Sequence, residues 1–104
     1  MAETFGDIDP QATRVINWFC RVTDRVGWTP HARDEMANDD FDDMDVLTCL
    51  RRGKAYGPEI VKGQTRYNVL HKGLHIRVVV GLPMGAGLQM LERLTVVTVM
   101  RIKT

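Results

Sequence analysis

Apolar residues recur at helical spacing through the first half of the chain and alternate with polar ones from Lys54 onward. Asp9 followed by Pro10 predicts a helix over Pro10–Val26. Val15, Trp18, Phe19, Val22 and Val26 would share its apolar face, Arg14, Asn17, Arg21 and Asp24 would stay wet, and Gly27 would supply a left-handed stop. That stripe, with its large Trp18, reads as core against a sheet. Thr29 and Pro30 suit the cap and first position of a second helix, Pro30–Asn38. A third helix is predicted over Asp43–Arg52. Asp42 is its cap, and Phe41 and Val46 stand where a hydrophobic staple requires them. Asp43 and Asp45 complement the positive end, Arg51 and Arg52 the negative end, and Gly53 closes it.

The alternating half predicts strands. Glu59-Ile60-Val61-Lys62 ends one, Gly63-Gln64 turns the chain, and Thr65–His71 forms the next. With Lys72-Gly73 as a two-residue hairpin, Val69 would pair with Ile76 and Tyr67 with Val78 on an apolar face. Leu70 with His75, Asn68 with Arg77 and Arg66 with Val79 would form the other face. A last strand over about Leu94–Lys103 would put Leu94, Val96, Thr98, Met100 and Ile102 together, opposite Thr95, Val97, Val99, Arg101 and Lys103. The glycine- and methionine-rich stretch Pro83–Met90 reads as a loop. The expected fold is therefore α+β: a single domain with three helices on one face of a roughly four-stranded antiparallel sheet.

Composition narrows the function classes. A chain of 104 residues suits one modest core without metal or disulfide staples. No apolar run reaches membrane-spanning length, and the first residues lack the basic flank and apolar segment of a signal peptide. Cys20 and Cys49 lie far apart and read as reduced core thiols of a cytoplasmic protein; with the three histidines they make no recognisable zinc pattern. Neither a metal nor a cofactor is expected. Charge is distributed unevenly. Residues 1–50 carry four arginines against eleven carboxylates, and residues 51–104 carry ten lysines and arginines against Glu59 and Glu92. This polarity suggests either an anionic partner for the second half or attraction between the halves.

Two groupings could carry chemistry. His31 and Arg33 fall in the first turn of the second helix, where unpaired N–H groups and the positive dipole end can hold an anion. A cation there is otherwise unfavourable, so Arg33 invites a reason, and the same dipole favours a neutral, proton-accepting His31. On the sheet, Arg66, Asn68, His75, Arg77, Arg101 and Lys103 would gather on the face away from the helices, where guanidinium forks match phosphate oxygens. Such a face is also simply the one that must be wet.

Thr29-Pro30-His31-Ala32-Arg33-Asp34-Glu35-Met36, the Phe41–Asp45–Val46–Leu50 helix ending at Gly53, Arg66-Tyr67-Asn68-Val69 and Val97-Thr98-Val99-Met100-Arg101 together resemble a small bacterial domain family of unknown function. Its pattern reads roughly His-Ala-Arg-x-Arg-Met, a helix, Arg-Tyr-x-Val, then a closing Thr-Val-x-Arg strand. The family is similar to the RelE, BrnT and MqsR type toxins, ribonucleases with a barnase-like arrangement of helices on an antiparallel sheet. The resemblance covers about residues 29–103. It implies a metal-independent endoribonuclease of a toxin–antitoxin type, acting on RNA (mRNA above all), with a cognate antitoxin protein as partner and no DNA or membrane. It points to His31, Arg33, Arg66 and Arg101 as catalytic residues, with Tyr67 and Thr98 on the RNA. Asn68, His75, Arg77 and Lys103 join these as RNA contacts from the basic face. Glu35 stands where the pattern has arginine. It is a candidate general base beside His31, or else the mark of a chain that no longer cuts RNA and serves as a protein-interaction module.

Overall fold

The computed structural model describes residues 6–83 and 91–102. It is an α+β fold in the order α1 (Pro10–Val22), β1 (Val26–Trp28), α2 (Pro30–Asn38), α3 (Asp43–Arg52), β2 (Lys54–Val61), β3 (Gln64–His71), β4 (Ile76–Pro83) and β5 (Leu94–Arg101), with a 3₁₀ turn at Lys72–Leu74. The sheet has five strands, ordered β1-β5-β4-β3-β2, and is mixed: β1 runs parallel to β5 and the other neighbours are antiparallel. The expected four-stranded antiparallel sheet therefore gains a short parallel edge. Of the loop expected over Pro83–Met90, Pro83 instead ends β4, and residues 84–90 lie outside the described residues, as does Lys103.

Helix starts follow the local chemistry. Asp9, Thr29 and Asp42 each accept a backbone N–H as N-caps, and Asp42 with Asp45 forms a reciprocal capping box. The first helix departs from expectation in length and in phase. It stops at Val22, because Val26-Gly27-Trp28 gains a strand partner in Leu94-Thr95-Val96, and Gly27 is strand, not helix stop. Its buried side is Ala12, Ile16, Phe19 and Cys20, while Trp18 is 60% and Val22 58% exposed. The helix is thus turned by roughly one residue's step, about 100°. Asn17 explains the turn. Its Nδ2 donates to the Leu50 carbonyl at 2.7 Å and to that of Gly53 at 3.2 Å, and Arg21 donates to the Arg51 carbonyl at 3.0 Å. These contacts satisfy α3's last carbonyls, which a helix leaves unpaired, and the small Ala12 and Cys20 allow close approach.

Sheet register keeps the expected faces but not the expected pairs. β3 and β4 pair as Val69–Val78, Tyr67–Val80 and Asn68–Val79, two residues from the predicted alignment. A slip of two preserves which side each residue faces. The cause is a longer turn: the His71 imidazole accepts the Leu74 N–H at 3.1 Å and His75 adopts the left-handed conformation. Between β2 and β3 the two-residue turn is Lys62-Gly63, both at positive φ, with Gln64 already paired to Val61. In β5 the alternation breaks at a bulge, where Val79 pairs with Thr98 but Val80 with Val96. Val97 is the extra residue, so Leu94, Val96 and Val99 are the buried set.

Tyr67, Val69, Ile76, Val78 and Val80 join the helices' buried residues in one core. Gly53 sits where any Cβ would meet the Cys49 carbonyl oxygen at 2.5 Å and that of Leu70 at 2.7 Å. Gly53→Ala is expected to lower stability by about 1–3 kcal/mol through overpacking. A urea midpoint that falls at unchanged m-value would show it, with Gly27→Ala, where a Cβ meets nothing closer than 3.7 Å, as the mild comparison.

Cys20 and Cys49 are free and buried, and burial pushes both thiols from 9.0 up to about 12. Below pH 9 folded and unfolded chains keep these protons alike. Above it the unfolded chain releases them first, so stability falls as pH rises toward 12. Urea midpoints taken across that interval should decline, and a thiol reagent at neutral pH should label both cysteines only as the chain unfolds.

Candidate functional site

The polar residues singled out by sequence fall into two groups on different parts of the fold. The first lies along α2. Beyond Trp28 the strand β1 ends, but the contact with β5 continues: the Thr29 N–H donates to the Val96 carbonyl at 3.1 Å and its hydroxyl to that of Val97 at 3.1 Å. Helix α2 then runs beside β5. Glu35 Oε1 accepts the Val99 N–H at 3.2 Å, and Asp39 Oδ2 accepts the Arg101 N–H at 3.3 Å. Four helical residues rise about 6 Å and two strand residues about 6.6 Å, so carboxylates at i and i+4 reach successive edge N–H groups.

His31, one turn before Glu35, places Nε2 at 3.2 Å from the same Oε1. The His31 side chain is 69% exposed and that of Glu35 22%, so the carboxylate is fixed by the strand and the imidazole faces outward. Arg33 has the reason it lacked in sequence: its guanidinium pairs with Asp43 of α3 and lies 4.3 Å from the Trp28 ring centroid. Arg101 sits on the helix side of the sheet, not on the basic face where it was expected, because the bulge at Val97 changes the phase of the strand. Its guanidinium donates to the Asp39 carbonyl at 2.6 Å and stacks 4.6 Å over Phe41. That cation sits at the helix's negative end, where positive charge is favourable.

The second group lies on the opposite face. Pairing aligns Arg66 with Gly81 and Thr95, Asn68 with Val79 and Thr98, and Leu70 with Arg77 and Met100. Arg66 donates to Gln64 at 2.9 Å, and Arg77 to Asn68 at 2.8 Å. The middle of this face is not wet: Asn68 is 4% and Val79 8% exposed. Asn68 is therefore not presented to a base edge. Tyr67 points into the core, 5% exposed, and burial, with Asp9 nearby, raises its phenol above the ordinary range. It belongs to the core, not to an RNA surface. His75 is exposed in its turn.

The structure thus brings His31 and Glu35 together and sets Arg33 and Arg101 along the same helix with internal partners. It puts Arg66 across the sheet from them. Among the described residues no three histidines, cysteines or carboxylates are grouped to hold a metal ion. Sequence reasoning missed Trp28, Asp39, Phe41 and Asp43 as the partners of the two arginines. These contacts join separate elements and leave no periodic signal.

No protein-family pattern, curated protein or solved structure matches this chain.

Glu35→Ala removes the acceptor of an N–H whose residue is fully buried. The expected cost is about 1–3 kcal/mol, with faster hydrogen exchange at the Val99 amide. Glu35→Gln retains a carbonyl oxygen and should recover most of it, and His31→Ala should leave both measurements unchanged.

Proposed function

We propose that this chain is a toxin-like, metal-independent endoribonuclease in which the His31–Glu35 pair moves the proton. The observation that supports it is the exposed imidazole held by a carboxylate that is itself anchored on the β5 backbone. A base fixed in position by a third group is the arrangement general base catalysis uses. His31 accepts the 2′-hydroxyl proton, the 2′-oxygen bonds to the adjacent phosphorus, and the P–O5′ bond breaks as the leaving O5′ takes a proton from solvent. The products are a 2′,3′-cyclic phosphate and a 5′-hydroxyl. Arg33, two residues on in α2 and with a side chain 45% exposed, is the candidate for the phosphorane charge, since a guanidinium retains free donors after pairing once. Arg66 and Arg77 belong instead to binding. The RelE- and MqsR-like, barnase-like kinship, the cytoplasmic setting and an antitoxin partner are part of this reading. The described residues contribute only that no helix is long and apolar enough to cross a membrane.

A second reading, a non-enzymatic protein-interaction module on the same scaffold, is favoured by one observation. Arg33, Glu35 and Arg101 all have internal partners, and Arg66 is remote from His31.

Cleavage of a mixed-sequence RNA in the presence of chelator separates the two. On the nuclease reading, wild type cleaves without metal, and His31→Ala loses roughly two to four decades in rate. Arg66→Ala should change affinity and its salt dependence while leaving the bound-state rate near that of the wild type. No wild-type cleavage at any pH, or cleavage undiminished in His31→Ala, transfers the function to the interaction module.

A further inference from the structure

At the end of the sheet away from α2, the last residue of α3, the start of β2 and the β3–β4 turn enclose a cavity of about 220 Å³. Arg52, Lys54, Tyr56, Leu70, His71 and Lys72 line it, and no carboxylate does. Among the described residues, the Arg52, Lys54 and Lys72 side chains have no hydrogen-bond or ion-pair partner. His71 Nδ1 accepts the Leu74 N–H, which leaves Nε2 as the ring's donor. Tyr56 is half-buried beside them. The negative end of α3 would ordinarily repel an anion here. Its Leu50, Arg51 and Gly53 carbonyls, however, already accept from Asn17 and Arg21.

A larger cleft of about 660 Å³ between α1, β1 and α3 also has three arginines, but Asp24 and Asp43 line it too. Two of those arginines are already committed, Arg21 to the Arg51 carbonyl and Arg51 to that of Cys20. The smaller cavity carries the uncompensated charge.

We infer that the Arg52–Lys54–Lys72 cavity is a phosphate-binding subsite for single-stranded RNA, with the flanking base on Tyr56. The volume is below the roughly 300–1,000 Å³ of whole-ligand pockets, which suits one phosphate with part of its nucleotide. Cations that track the backbone beside an aromatic platform are the means by which proteins hold single strands without reading sequence. The subsite deepens the RNA reading above but does not depend on its chemistry.

The test uses a fluorescent 2′-O-methyl RNA octamer, which cannot be cleaved through its 2′-oxygen, titrated by anisotropy at several salt concentrations. The triple variant Arg52→Gln/Lys54→Gln/Lys72→Gln should bind more weakly, with a salt slope shallower by about 0.7 for each phosphate it no longer neutralises. Tyr56→Leu should weaken binding roughly tenfold while leaving the slope unchanged. A control, Arg14→Gln/Arg25→Gln, removes exposed charge elsewhere and should stay near wild type. The three cations are exposed, so thermal melting should confirm that the triple variant folds, and Lys72→Glu alone should weaken binding in the same direction. Inorganic phosphate that displaces the octamer from wild type but not from the triple variant would support the subsite. Binding unchanged in the triple variant, or abolished equally in the control, would overturn it. Binding here without cleavage of unmodified RNA would leave the subsite standing and remove the nuclease reading; cleavage with unchanged binding would do the reverse.

Discussion

A sheet must satisfy the backbone groups along its outer strands, and this requirement organises the molecule. β5 has β4 on one side and only the three residues of β1 on the other. From Val97 onward its free edge is closed by Thr29, Glu35 and Asp39, so α2 takes the place of a missing strand. The bulge at Val97 lies where one kind of partner gives way to the other. At the far side, residues 7–9 close part of β2: Asp9 donates to the Ala55 carbonyl, Gly57 donates to that of Asp7, and Ile8 bridges Tyr56. Both edges are covered by chain that is not a full strand.

The same requirement gives a reason for Glu35. Arginine has five donors and no acceptor, so it cannot close an edge N–H. A carboxylate can, and it still has lone pairs for His31. The carboxylate at position 35 therefore has a structural reason at the edge of β5 whatever the chemistry of the pair. It also makes the stability effect of Glu35 separable from any effect through His31, because the two interactions use one oxygen but different partners.

What could be read in the sequence was local. The caps Asp9, Thr29 and Asp42, the bounds of α2 and α3, and the faces of β3 and β4 follow from spacing and turn chemistry within a few residues. What could not be read required a distant partner. β1 is three residues whose only claim to be a strand is β5, nearly seventy positions on in sequence. The phase of α1 depends on Asn17 reaching α3. The β3–β4 register depends on a histidine side chain closing a turn that Lys72-Gly73 could have closed alone. For the site, the adjacency of His31 and Glu35 was legible because it is helical spacing. The partners of Arg33 and Arg101 were not, since Asp43, Trp28, Asp39 and Phe41 reach them from other elements.

The uneven charge of the two halves had two explanations in sequence, attraction between the halves or an anionic partner. Among the described residues the ion pairs, His31–Glu35 and Arg33–Asp43, both lie within the first half. Of the ten described acidic residues there, five are at work on backbone: Asp9, Asp42 and Asp45 cap helices, and Glu35 and Asp39 close β5. The described bridges from second-half cations into the acidic half are Arg51, whose guanidinium binds the Cys20 carbonyl, and Arg101, whose guanidinium binds a carbonyl and a ring; neither guanidinium pairs with a carboxylate. Cross-half ion pairing thus accounts for little of the polarity. Those five carboxylates, with Asp43 paired to Arg33, serve the fold within the first half, whereas Arg52, Lys54 and Lys72 remain uncompensated around one cavity. Solvated cations at that density repel one another, and an anion seated among them is the arrangement that relieves the repulsion.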